Sequence, residues 1–221
     1  MTAKQKDIIT VSATYIWVLI ATYGAVWANV NLRPGFSGGF LHAFNIAKWV
    51  PVALATIFFM RRDKESLADI GFAKGNISRQ ILSGILAAIG SLLIFIVSPA
   101  IFGINLSYVG SLNIWSILLS FVYMMLTAAL IEEIIFRGHL FKKLLDVSGS
   151  KWFAILLSSI LFGFFHIIIG NILQVIITAM IALYWCLCRD KIKHCTLLSL
   201  IIAHALHNTL HPVVTALFFA G

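Results

Sequence analysis

Ala128-Ala-Leu-Ile-Glu-Glu-Ile-Ile-Phe-Arg137 sets two adjacent carboxylates inside an apolar run that extends from 114 to 141. As a helix, that run is about 40 Å long at 1.5 Å per residue. The hydrocarbon core of a bilayer is roughly 30 Å thick, so the stretch reads as a membrane span with charge in its interior. One charged side chain at mid-bilayer costs about 2.5–3.5 kcal/mol even on lenient insertion scales. Two neighbours require a structural or chemical reason.

Working outward, six further runs are long and apolar enough to cross: 8–30, 38–60, 81–104, 152–170, 172–188 and 196–219. Composition agrees. Of 221 residues, 61% are hydrophobic and 11% are charged, with a mean hydropathy of +0.99, whereas a soluble domain needs roughly 25% charged residues to cover its surface. The fold class is therefore all-α, a polytopic transmembrane bundle of about seven helices. It reads as one integral membrane domain, 1–221, with the chemistry in 114–221. The first run is too long for a signal peptide's apolar core of about 7–15 residues, and it reads as a span.

The basic residues give an orientation. A net charge of +8 and a pI near 9.6 would suit nucleic acid if the cations shared a polar surface, but they recur in short clusters between apolar runs. No nucleic-acid partner is expected. With the N-terminus in the cytoplasm, all but Arg33 and Lys48 of the 16 Lys and Arg fall on the inner side, as the positive-inside rule asks. The outer connections near 105–112 and 170–172 carry no charge. His42, Asn45 and Lys48 interrupt the second run, so 36–47 reads as an outer interfacial stretch.

Adjacent helical residues point about 100° apart, which predicts separate jobs for the two glutamates. Glu133 and Arg137 share a face at i,i+4 and suit a neutralising ion pair, leaving Glu132 to face the bundle. Histidine is the next anomaly. His166 closes Phe162-Gly-Phe-Phe-His166, and the last span reads Ile201-Ile-Ala-His-Ala-Leu-His-Asn-Thr-Leu-His211. His204 and Asn208 share one face there, and His207 and His211 another that overlaps it. Glu132 stands about 15 Å from Lys142, His204 about 16 Å from Lys193, and His166 and Asn208 each about 22 Å from an inner lysine. All four predicted depths fall near mid-membrane.

Glu132-Glu133-x-x-x-Arg137, Phe162-x-x-x-His166 and His204-x-x-x-Asn208 resemble, in order, the three motifs of the CAAX-protease and bacteriocin-processing family (CPBP or Abi). Ile70-Gly71-Phe72 resembles its Gly-centred turn, so the likeness covers about 70–220. The resemblance implies an intramembrane endopeptidase. Glu132 and His166 would activate water, His204 and Asn208 would polarise the carbonyl and hold the oxyanion, and Glu133, Arg137 and His207 would support them. General physics is compatible: low dielectric disfavours a carboxylate's charged form, which suits a base near neutral pH, and hydrogen-bond donors gain value where water is scarce. Zinc is the alternative, held by Glu132, His166 and His204 as a two-His, one-carboxylate set. Metal-free catalysis is preferred, because the soluble signature His-Glu-x-x-His is absent.

The resemblance implies a peptide or membrane-protein substrate in the lipid bilayer, either a prenylated CAAX protein or a small peptide such as a bacteriocin. The compact plan suggests a bacterial inner membrane and peptide maturation or bacteriocin self-immunity. Two other classes compete: a proton-coupled transporter using Glu132 and His166 as a relay, and a non-catalytic scaffold or immunity factor. Gly35-Phe36-Ser37-Gly38 spells a rhomboid-like Gly-x-Ser-Gly but falls at a loop boundary and reads as a turn. Cys186, Cys188, His194 and Cys195 resemble a zinc knuckle, yet Cys186 and Cys188 would point to nearly opposite helix faces. Trp27, Trp49, Trp115 and Trp152 lie near span ends, as an interfacial belt.

Overall fold

A computed structural model describes residues 1–35, 37–97 and 113–219. Of the described residues 84% are helical, and no strand occurs among them. Seven helical stretches are long and apolar enough to cross a membrane: Ala3–Asn31, Gly38–Arg62, Ile77–Val97, Ile114–Ser148, Lys151–Ile168, Ile172–Lys191 and Leu197–Leu217. They are called spans one to seven. In lipid every backbone N–H and C=O must be satisfied internally, which leaves the helix as the solution for apolar runs of this length. The protein is an integral, multi-pass membrane protein. The predicted 98–104 end of span three, the 105–112 connection, Phe36 and the last two residues lie outside the described residues.

Helix ends follow local chemistry. Thr2 and Gln5 form a capping box at the start of span one. Asn113 accepts from the Trp115 and Ser116 amides ahead of span four, and Ser150 accepts from Phe153 ahead of span five. Each side chain satisfies a donor that a helix start leaves orphaned. Ser37 stands exposed before the helix Gly38–Ala47, so the Gly-x-Ser-Gly decoy occupies a helix start. Gly71, at φ 105°, supplies the turn expected after Ile70.

Three spans depart from a straight α-helix, span three by ending in a π-helix over Leu93–Val97. Span two breaks at Lys48–Trp49 into Gly38–Ala47, which buries nothing, and Val50–Arg62. Span four breaks at Thr127 (φ −120°, ψ −103°), resumes over Ala128–Glu133 and continues as a π-helix over Ile134–Leu140. Wide turns of this kind occur often at functional sites. Here the π-helix begins at the residue after the paired glutamates.

The described residues form two compact units. The first comprises 1–71 and 134–183. Its spans five and six pack through Gly163, where an added Cβ would lie 2.6 Å from the Val175 carbonyl oxygen and 2.7 Å from Ala179 Cβ. Only glycine permits that approach. Phe136 packs edge-on against Phe162 at a centroid distance of 5.1 Å and tilted against Phe165 at 5.3 Å. Tyr15 of span one donates to the Leu161 carbonyl at 2.9 Å.

At one end of this unit lies a cluster of charge. Lys143 Nζ, almost fully buried, contacts Asp7 at 3.0 Å, Asp63 at 2.7 Å and Glu65 at 3.0 Å. Lys6 and Arg62 also pair with Asp63, at 2.7 and 2.8 Å. His139 Nδ1 meets Glu65 at 2.8 Å, with both side chains buried. Asp63 and Glu65 belong to the connection after span two, and the fold buries their side chains around one lysine. The cluster also joins the N-terminus, the connection after span two and the end of span four on one side, as the alternating topology requires.

The second unit comprises 72–133 and 184–221. Spans three and seven pack through Gly84, where a Cβ would stand 2.6 Å from the Ser199 carbonyl oxygen. At their shared end, Thr196 donates to the Gln80 side chain at 2.6 Å and Ser199 donates to the Gln80 carbonyl at 2.8 Å. Cys186, Cys188 and Cys195 are buried thiols outside any disulfide.

Candidate active site

Span seven carries His204, His207 and Asn208 on successive faces of Leu197–Phe219. In the same unit the short helix Ala128–Glu133 delivers both glutamates. Glu132 is 5% exposed, Glu133 0% and His204 3%, so this is polar chemistry removed from solvent. Glu133 Oε1 accepts from His204 Nδ1 at 2.8 Å. Glu132 Oε2 lies 3.8 Å from His204 Nε2.

The two carboxylates thus flank one imidazole. The sequence assigned them to different faces, and their backbone directions do diverge. The ring nitrogens of His204 also diverge, so a single side chain opposite spans the angle between the two carboxylates. Glu133 makes its 2.8 Å contact with His204, and Arg189 lies within electrostatic range of it. The fully buried Arg137 belongs to the other unit, where its guanidinium lies 3.9 Å from the Phe162 ring centroid. A cation over an aromatic face is attracted by the ring quadrupole, more strongly where water is excluded.

The Glu133 bond fixes His204 chemically. Nδ1–H is committed to a carboxylate, so the neutral ring presents its lone pair at Nε2, toward Glu132. A separation of 3.8 Å is too long for a direct hydrogen bond and suits a small molecule shared between the two groups. Asn208 sits one turn further along, half-buried.

His166 lies in the first unit and opens the 3-10 turn His166–Ile168 after the helix Lys151–Phe165. Its Nδ1 donates to the Phe162 carbonyl at 2.9 Å, which again leaves the neutral lone pair on Nε2. Phe162 and Phe165 pack on the ring at centroid distances of 4.6 and 5.1 Å. Glu132, Glu133, His204, His207 and Asn208 thus share one unit, and His166 and Arg137 stand in the other.

Two participants carried no motif signal. Trp185 is buried and packs on His204 at 5.0 Å and on His207 at 5.8 Å. Ser91 Oγ lies 2.9 Å from His207 Nδ1.

Zinc needs three protein ligands at a catalytic centre. Among the described residues no group of three or more His, Cys, Asp or Glu is placed to hold a metal. Glu132 and His204 Nε2 supply two.

Residues 113–210 match the family model of Type II CAAX prenyl endopeptidase Rce1-like proteins. No curated protein and no solved structure matches the chain.

Proposed function

We propose, from the match of residues 113–210 to the Rce1-like CAAX prenyl endopeptidases, that this protein hydrolyses a peptide bond within the membrane with Glu132 as general base. The match supports a membrane-embedded protease acting on a peptide or protein substrate, and it covers all the motif residues from Glu132 to Asn208. The observation that carries the assignment is the pair of buried carboxylates flanking His204, one hydrogen-bonded to Nδ1 and the other 3.8 Å from Nε2.

In this reading a water oxygen attacks the scissile carbonyl carbon while Glu132 takes its proton. The Asn208 amide N–H holds the oxyanion. His204 Nε2, facing Glu132, shares the transferred proton, and Glu133 holds the ring in the tautomer that allows this. Collapse of the intermediate breaks the C–N bond, and the leaving nitrogen takes the proton. His166 enters through the motif order, with an anchored Nδ1 and a basic Nε2 suited to activating the same water. Arg137 is proposed as a support within its own unit. No step is routed through a metal.

Residues 114–221 would form the catalytic core of a single membrane domain. The N-terminus would face the cytoplasm of a bacterial inner membrane, with a CAAX-type protein or a small bacteriocin-like peptide as substrate. The test compares peptide termini in membranes from cells expressing wild type and Glu132→Gln at equal levels. Termini seen with wild type alone establish a protease and name its substrate. Identical termini from two folded proteins refute it, and proton flux in proteoliposomes would then favour a transporter over a scaffold. Zinc present stoichiometrically, with activity lost on chelation, would overturn the metal-free mechanism.

A further inference from the structure

Tyr184 and Trp185 are neighbours on span six, so their side chains leave the helix about 100° apart. Tyr184 turns to span three. A Cβ added at Gly90 would lie 2.0 Å from the Tyr184 hydroxyl oxygen and 3.0 Å from the ring carbon that carries it, so the phenol tip sits in a notch that only glycine leaves open. Phe95, further along span three, meets the same ring edge-on at 6.4 Å. Trp185, 1% exposed, turns to span seven. It lies tilted at 35° against the His204 ring, centroids 5.0 Å apart, and at 86° against His207, 5.8 Å apart. Both separations are ordinary for rings in contact.

His204 needs such a contact. Its Nδ1 is 2.8 Å from Glu133 and its Nε2 is 3.8 Å from Glu132. A hydrogen bond at one nitrogen fixes that atom but leaves the plane of the ring to swing, because the torsion that turns an imidazole is broad. The swing carries Nε2 with it, and an error near 1 Å at a reacting group can cost about 10²-fold in rate. A rigid indole against the ring removes that freedom. The indole is held in turn by two imidazoles that it meets at different angles, and by the seating of Tyr184 beside it. A tryptophan that anchors a span in the interfacial belt is exposed, as Trp152 is at 56%; Trp185 serves the interior.

We propose that Trp185 is the positioning residue of His204, holding the ring plane so that Nε2 stays toward Glu132 while Glu133 grips Nδ1, and that the Gly90 notch seats it through Tyr184. This rests on the protease reading. It extends the site to span three, ahead of the segment that matches the family, because Gly90 sets how closely span six approaches there.

The probe is a quenched fluorescent peptide ending in Cys-aliphatic-aliphatic-X, farnesylated or unmodified, with purified full-length protein in liposomes. If wild type cuts neither form, a peptide spanning the membrane terminus that Glu132→Gln abolishes takes its place. Trp185→Leu keeps apolar bulk without a flat face, and kcat should fall about 10–100-fold with KM within about twofold, the signature of an interaction made in the transition state. Trp185→Phe keeps a flat face and should hold kcat within about threefold of wild type. Gly90→Ala displaces Tyr184 and should lower kcat about tenfold, and adding Tyr184→Phe, which removes the clashing oxygen, should recover most of that loss. Wild-type kcat in Trp185→Leu, or a loss confined to melting temperature or to KM, overturns the inference and leaves the protease reading standing. Should Trp185→Leu not fold, the Gly90 pair decides, and a double variant no faster than Gly90→Ala overturns the inference. If wild type cuts neither peptide and Glu132→Gln leaves membrane termini unchanged, the protease reading fails and this proposal with it.

Discussion

Each unit buries a cluster of ionisable groups, and the two clusters are built to opposite rules. In the first, Asp7, Asp63 and Glu65 meet the cations of Lys6, Arg62 and Lys143 at hydrogen-bonding distances. In the second, two adjacent carboxylates close on the two nitrogens of one imidazole. Matched full charges lock a geometry, since any one removed strands its partners. An imidazole between carboxylates does something else. It can accept and release a proton without leaving its place. The first cluster therefore reads as the clamp that joins chain ends, and the second as the place where protons move.

The sharpest break in this comparison is a pair of isosteric changes. Glu132→Gln should lower peptide cleavage by about 10²–10⁴-fold, the usual contribution of a positioned general base, with melting temperature close to wild type. Lys143→Met should do the reverse, costing about 3–5 kcal/mol of stability because it takes from three carboxylates the buried cation they share, while the molecules that do fold keep their turnover. Cleavage rate and thermal melting measured on both proteins decide the matter. A Lys143→Met protein that melts like wild type, or a Glu132→Gln protein that cleaves normally, would erase the distinction.

A finer test stays within the second cluster. Glu133→Gln keeps a partner for His204 Nδ1 and removes its charge. Groups that orient a working histidine typically matter about 10–100-fold, so kcat should fall by that amount with KM little changed. An effect as large as that of Glu132→Gln would mean that the two carboxylates share the base's task.

Much of this was legible in the sequence, for identifiable reasons. Apolar runs announce spans because lipid forbids unpaired backbone, and among the described residues seven apolar helices stand on those runs, 98–104 of the third lying outside them. Glu132, His166 and His204 stood out because ionisable groups inside such runs are costly. Partner choice was not legible. The side chain that donates to Glu133 lies 71 residues later, beyond the reach of helical spacing. Lys143 looked like a topology signal, since a lysine at a span end and a buried lysine read alike until the acids from 7, 63 and 65 converge on it. The break at Thr127 carries no Gly or Pro to mark it, and Gly138 inside the π-helix after Glu133 does not by itself announce a wide turn. Ser91 was one small polar residue in an apolar run until His207 was placed against it.

Acid distinguishes the clusters with the smallest effect. Hydrogen bonds from Arg62, then Lys143 and Lys6, hold the Asp63 carboxyl well below the usual carboxylate range despite its burial. Burial pushes Glu65 upward, but hydrogen bonds from His139 and Lys143 outweigh it and leave the group below its ordinary value. Both folded-state values are thus depressed. The stability they contribute is fully present above the unfolded values near 4 and is lost as pH falls through the folded ones. Melting temperature should be nearly flat from about pH 7 to 5 and fall below about pH 4. Asp63→Asn should melt lower than wild type at neutral pH and approach it as the pH drops, because protonation removes from wild type what the substitution has already removed. A constant gap between the two proteins across the whole range would show that Asp63 acts through shape and not through charge. The clamp would then lose the property that separates it from the Glu132–His204–Glu133 cluster.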